Sequence, residues 1–330
     1  MPSIQLTSRS ILCLALLVAG ASPTLAQDRV RVLTTTQDLA AIAREIGGDR
    51  VEVTAIARGY QDPHFVEAKP SYILQASKAD MLVLVGLDLE IAWLPNVITG
   101  SRNRRIQPGA PGYVDASRGI RLQEVPTGRI SRDLGDIHAY GNPHYWLDPT
   151  NGRVIAANIL QGLKAVDAAD AAYYQRRYDD FVARLERKLA EWEAKSAPLE
   201  GLHVVAYHNS WPYLARAFGL IVDEFLEPKP GIPPSPSHIA AVIRLMSRDG
   251  TEIILMEPYF SRKVPDLVAR KAGGTVVELS PSVGGEKDVA SYFDLFDHNL
   301  EKLLGAARAG GGAFGGVVEP ALARADGAAR

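Results

Sequence analysis

The sequence predicts a two-lobed α/β protein with parallel sheets, the lobes joined by one long rigid helix and a metal site in the cleft between them. Three observations lead there. Short apolar runs alternate with helix-like segments in two separate stretches, the rhythm of strands crossing over through helices. A single long amphipathic stretch lies between the two. Three histidines, His64, His144 and His208, sit in turn-like settings separated by 80 and then 64 residues, far too distant for a local metal knuckle.

The first 26 residues differ from the rest. Arg9 is their only charged side chain, Ile11 to Gly20 is an apolar run, and Ala21-Ser22-Pro23-Thr24-Leu25-Ala26 ends in small residues. This order of regions marks a secretory signal peptide, 1–26, cleaved after Ala26. The apolar run is short for a membrane span. Cys13, the only cysteine, lies inside it without a small residue just before it, so a lipid anchor is not expected and the mature chain carries no thiol. The chain has 330 residues, 47% hydrophobic and 22% charged, with net charge −2. No basic excess points to nucleic acid. The expected product is an exported acidic globular protein, periplasmic in a Gram-negative cell.

The first lobe is expected over 27–166. Val30 to Leu33 reads as a buried strand. Asp38 can cap a helix from Leu39 to Ile46, which Gly47-Gly48 ends. Val51 to Ile56 reads as the next strand, Pro70 to Ser77 as a helix with proline in its first turn, and Met81 to Val85 as a strand buried on both faces. Gly100 to Asn142 is rich in Gly, Pro and Arg and reads as loop. A linking helix follows within 167–198. Over 170–196, Tyr174, Tyr178, Phe181, Leu185, Leu189 and Trp192 recur at steps of 4, 3, 4, 4 and 3, a stripe on one helical face. At 1.5 Å per residue such a helix spans roughly 40 Å, more than one small domain. It is therefore expected to run across both lobes. The second lobe, 199–306, reads as strand 204–207, helix 210–218, strand 220–225, helix 236–247, strand 252–256, helix 262–272, strand 275–279 and helix 289–304. From 307 to 330 Gly and Ala dominate, and disorder is expected.

His64 follows Asp62-Pro63 after the second strand. His144 follows Asn142-Pro143 in a segment that opens a helix, with Asp148-Pro149 as its cap. His208 lies just past the strand at 204–207. Each is thus near a strand C-terminus or a helix N-terminus, where open α/β sheets collect ligands. His203, His238 and His298 read as surface or helix-face residues. His138, in the loop six residues before His144, reads as a solvated loop histidine, with metal capture as the alternative.

Several stretches carry a resemblance: Gly59-Tyr60-Gln61-Asp62-Pro63-His64 with Pro70-Ser71 behind it, Asn142-Pro143-His144-Tyr145-Trp146-Leu147-Asp148-Pro149, Ala206-Tyr207-His208, Glu257-Pro258 after an apolar strand, and Tyr292 to Leu300. Over almost all of 30–305 the chain resembles the zinc- and manganese-binding proteins that serve bacterial ABC importers. The resemblance implies two α/β lobes on one long helix and places His64, His144 and His208 on three metal ligands. It implies an ABC transporter membrane permease as partner, a periplasmic metallochaperone as a further candidate, a monomer, and a binding protein rather than an enzyme.

The family often has an aspartate as fourth ligand, where this chain has Ser280. Three neutral imidazoles leave a +2 charge uncompensated, so another carboxylate is sought. Glu257, ending an apolar strand, is the favoured fourth residue as ligand or supporting partner; Glu278, Ser280 and a water are the alternatives. Three nitrogens and at most one oxygen suit zinc, whereas manganese prefers more carboxylate. By resemblance, manganese-binding relatives tend to carry a carboxylate at the position of His208. The expected cargo is Zn2+, with manganese or iron as the alternative. An exported three-histidine zinc hydrolase is the rival from another class, but no HExxH-type motif supports it.

Overall fold

The computed structural model describes residues 29–128 and 138–309. The signal peptide expected over 1–26 and residues 310–330 of the expected tail lie outside the described residues.

Strand β1 (Val30–Thr34) is flanked by β2 (Val51–Ala55) on one side and β3 (Met81–Leu84) on the other, with β4 (Tyr113–Asp115) beyond β3; every pairing is parallel. Helices α1 (Gln37–Gly47), α2 (Pro70–Lys78), α3 (Leu94–Ser101) and α4 (Gly152–Val166) make the crossovers and cover the sheet. The second lobe repeats this plan. Its sheet runs β6 (Ile221–Phe225), β5 (His203–Ala206), β7 (Ile253–Met256), β8 (Thr275–Glu278), again all parallel. Helices α6 (Pro212–Phe218), α7 (Pro236–Asp249), α8 (Lys263–Ala272) and α9 (Tyr292–Ala309) accompany it.

The inner strands β3, β5 and β7 are apolar on both faces because helices cover both. Alternate residues therefore enter different cores. Val32, Met81 and Val83 face one cluster while Leu33, Leu82 and Leu84 face another. In the second lobe Val204, Ala206, Ile253 and Leu255 face the first cluster again, and Val205 and Ile254 a third. One core is thus continuous through both lobes, and each lobe keeps a smaller core of its own.

Helix α5 (Ala171–Ser196) lies along the shared core. Its 26 residues span about 39 Å. Tyr174, Phe181, Leu185 and Trp192 of the predicted stripe are buried in the shared cluster, with Tyr178 and Leu189 packed at its edge. It rests on α1 and α4 of the first lobe and α9 of the second. Arg184 pairs with Glu45, while Lys188 and the Trp192 indole both reach Asp297. The helix is the spine that the periodicity predicted.

Some local expectations fail for tertiary reasons. The stretch 100–142 holds the end of α3 and the edge strand β4, whose three residues are too few to show a period. The last helix begins at Tyr292 and runs to Ala309, so residues 307–309 belong to it rather than to the tail. Asp38 does not precede the first helix; it lies within its first turn, and its carboxylate leaves the lobe altogether.

Candidate metal centre

The strands of both sheets point their carboxyl ends at the inter-lobe cleft, and the three histidines leave from there. His64 follows β2, His208 follows β5, and His144 precedes the short 3-10 turns that lead into α4. One nitrogen from each of the three rings lies within 4.8 Å of the others. The ring centroids form a near-equilateral triangle, 5.2 Å from His64 to His144, 5.6 Å to His208, and 5.7 Å between His144 and His208. All three residues are buried.

Two of the settings share one local device. In Asp62-Pro63-His64 the Asp62 carboxylate accepts the His64 backbone N–H (2.9 Å) and faces the ring Nδ1 (2.7 Å). In Asn142-Pro143-His144 the Asn142 Oδ1 does the same, at 3.0 and 2.9 Å. The intervening proline fixes its φ, and the Asx side chain closes the turn on the residue after it. His208 has no such turn; its Nδ1 meets Glu227 at 2.7 Å from the end of β6. In each ring Nδ1–H is spent on an oxygen, so the Nε2 lone pair is left to face the cleft. This outer support fixes tautomer and orientation and raises ligand basicity. The His144 Nε2 is buried without any hydrogen-bond partner.

The same outer layer answers the charge deficit. Asp62 and Glu227 place two carboxylates directly behind two of the rings. A third, Glu124, accepts from the Asn142 amide (2.9 Å) and the Asn209 amide (2.8 Å), so His144 also connects to a carboxylate through Asn142. Burial works against the charge of Asp62, but the His64 contacts win and its pKa lies below the ordinary value. Burial lowers the affinity of His208 for a proton, yet Glu227 at 2.7 Å and nearby Glu257 outweigh it and raise its pKa. His144 goes the other way, held well below 6.5 first by burial and then by the neighbouring rings.

Glu257 stands at the end of β7, fully buried. Burial pushes its pKa to about 7 against the attraction of His208. Neither carboxylate oxygen has a partner at hydrogen-bond geometry; the Ser210 hydroxyl is near enough to favour its charge without meeting that geometry. It does not join the three rings at their mutual 4.8 Å. The structure therefore brings three of the four sequence-predicted residues together and leaves Glu257 outside that group, near enough to His208 to favour its charge. Glu278 points away, 3.4 Å from Arg262. The Ser280 hydroxyl donates to the Ser282 carbonyl (2.8 Å), while Asn299 of α9 clamps its backbone at both N–H and C=O.

Sequence reasoning missed the supporting layer. Asp62 and Asn142 stood inside the quoted motifs, and the repeated Asx-Pro-His pattern was the available signal. Glu227-Pro228 after β6 mirrors Glu257-Pro258 after β7, a second signal. The solvated reading of His138 is corrected: its Nε2 lies 3.1 Å from that of His64.

Residues 32–306 match the family described as ZnuA, zinc-uptake complex component A, periplasmic. The chain is 26% identical over 286 residues to the high-affinity zinc uptake system protein ZnuA of Bacillus subtilis, covering 84% of this chain and 87% of that one. It is 24% identical over 294 residues to the manganese ABC transporter substrate-binding lipoprotein PsaA of Streptococcus pneumoniae, covering 86% and 91%. A zinc-bound crystal structure of a ZnuA lacking residues 138–173 of its own sequence superposes with a TM-score of 0.69 at 26% identity, covering 86% of this chain and 97% of that one. With all but the ends of the described fold matched, the chain belongs to the ZnuA family.

Proposed function

We propose that this protein captures Zn2+ outside the inner membrane and delivers it to the membrane permease of an ABC importer. Its family is one of extracytoplasmic substrate-binding components of metal ABC importers, not of enzymes. The observation that carries the zinc reading is the ligand chemistry. Three Nε2 atoms converge, each with its Nδ1 hydrogen-bonded to an oxygen of a carboxylate or an amide, and imidazole donors suit zinc over manganese. Asp62 and Glu227 offset the cation's charge through the rings. In this reading His64, His144 and His208 are ligands, and Glu257 is the buried carboxylate that serves them, as fourth donor or as charge near His208.

The export reading belongs with it: cleavage after Ala26, a soluble periplasmic monomer with lobes over 27–166 and 199–306 about the helix at 167–198, and loading by the medium or a metallochaperone. Among the described residues no helix is long and apolar enough to cross a membrane. A manganese cargo is the second reading, favoured by the likeness to a relative named for manganese.

Metal content by mass spectrometry, on protein purified without added metal and then challenged with equal zinc and manganese, tests this. One zinc per chain is expected, retained against manganese and lost in His144→Ala. Preferential manganese retention would overturn the cargo, and unchanged zinc in Glu257→Ala would remove Glu257 from the ligand set.

A further inference from the structure

We propose that His138 is the fourth metal ligand of this site, giving an all-imidazole shell in place of the aspartate that Ser280 replaces. The inference rests on the reading of His64, His144 and His208 as ligands.

Its first support is geometric. The Nε2 atoms of His138 and His64 are 3.1 Å apart and the ring centroids 5.1 Å. Nitrogens at the corners of a tetrahedron around zinc, with bonds of about 2.0–2.1 Å, stand about 3.3 Å from one another. The second support is the pattern of anchoring. The Leu87 backbone lies near enough to the His138 ring to favour its charged form, although burial and the neighbouring rings outweigh it. The His138 Nε2 faces the Nε2 of His64, whose own Nδ1–H is spent on Asp62. Two imidazole nitrogens at this distance share a proton, or a cation that takes its place. His138 thus turns its Nε2 toward the site beside that of His64.

The anchor is itself built at a cost. Gly86, Leu87 and Asp88 have φ of 80°, 54° and 66°, three left-handed residues in a row after β3. For the two non-glycine residues that conformation is strained by the clash of Cβ with the following carbonyl. Glu90 holds the turn, its carboxylate accepting the Val85 N–H at 2.7 Å and the Gly86 N–H at 3.0 Å. Strain of this kind persists where the surroundings over-determine it, and it clusters at functional sites.

Two of the competing donors are committed elsewhere, and the third, the unpartnered Glu257, stands apart from the rings. The Ser280 hydroxyl is spent on Ser282, Glu278 on Arg262, and Glu257 stands outside the ring cluster. His138 also lies outside the mutual spacing of the other three rings. It reaches the fourth corner by swinging from His64 toward the centre of the triangle, a side-chain movement.

The test counts imidazoles and measures affinity on the full mature chain loaded with zinc. X-ray absorption at the zinc edge is expected to show four imidazole nitrogens in the wild type, and three plus a non-imidazole oxygen donor in His138→Ala. Zinc affinity by chelator competition is expected to fall at least tenfold in His138→Ala, to stay unchanged in the surface control His203→Ala, and to vanish in His144→Ala. A His138→Ala protein with the wild-type imidazole count, or with affinity within twofold, overturns the proposal while leaving the three-histidine site standing. Wild-type affinity in His144→Ala would instead overturn both readings.

Discussion

His208 and His144 face the same cleft with opposite proton affinities. Burial depresses both, but at His208 the contact with Glu227 and the proximity of Glu257 reverse the sign and raise its pKa above 6.5. His144 has no carboxylate in direct contact and stays deprotonated well below that value. A proton and a metal compete for the same imidazole, so His208 is the first of the two to be protonated on acidification. Zinc affinity should therefore begin to fall above pH 6.5 and keep falling as pH drops. In Glu227→Gln the support that raises the His208 pKa is gone, so the onset of that fall should shift to lower pH. At neutral pH the same variant should bind zinc roughly 10–100-fold more weakly, the usual cost of removing a supporting carboxylate. Chelator competition between pH 5.5 and 8 reads both effects; an unshifted onset would show that Glu227 does not govern His208.

Between elements, the junction of α1 with the β8–α9 connection helps fix one lobe on the other. Asp38, in the first turn of α1, accepts the Ser282 hydroxyl at 2.5 Å and the Val283 N–H at 2.9 Å. The same connection receives the Trp146 indole on the Pro281 carbonyl, and Tyr292 returns a hydrogen bond to the Trp146 carbonyl. Gly59 meets it so closely that a Cβ there would collide with the Val283 carbonyl oxygen. Burial raises the Asp38 pKa from 3.8 to about 6, against the hydrogen bonds from Ser282 and Val283. A carboxyl group whose folded pKa exceeds its unfolded value favours the folded state when protonated. Its contribution is present at low pH and lost as pH rises through about 6. Asparagine keeps the geometry, accepting from Val283 and donating to Ser282. Asp38→Asn should thus be more stable than the wild type at pH 8, by on the order of 1–3 kcal/mol, and the difference should shrink toward zero below pH 4. Thermal unfolding of the metal-free protein at the two pH values checks this; a pH-independent difference would refute it.

At the scale of the molecule, a shared core and a spine helix leave little freedom for a hinge. The apolar cluster runs from Val32 and Ile42 in the first lobe through Phe181 and Trp192 to Leu255 and Leu300 in the second. Opening the cleft widely would expose part of that cluster at about 25 cal/mol per Å2 and break the Asp38 and Trp146 bridges as well. The radius of gyration from solution scattering should therefore be nearly the same with and without zinc. A change on the scale of domain closure would contradict the rigid-spine account.

Much of this was legible in the residue order, for identifiable reasons. Periodicity located α5 and its buried stripe because burial on one helical face imposes a 3.6-residue repeat that survives any tertiary detail. Apolar runs located most of the strands because a sheet covered on both faces admits little else. The three histidines stood out because Asx-Pro-His turns and a strand end are local features, and their wide spacing required a site between segments. The sequence by itself thus determined the fold class, the spine and the three converging rings. Only the tertiary structure decided what surrounds them: that Glu227 backs His208, that Glu257 stays outside the triangle, that Asp38 bridges the lobes rather than capping α1, and that His138 faces His64. Three of those facts are contacts between residues 19, 74 and 245 apart in sequence. Backbone propensity carries no information about such pairs, because they depend on which strand ends the two sheets bring to one cleft.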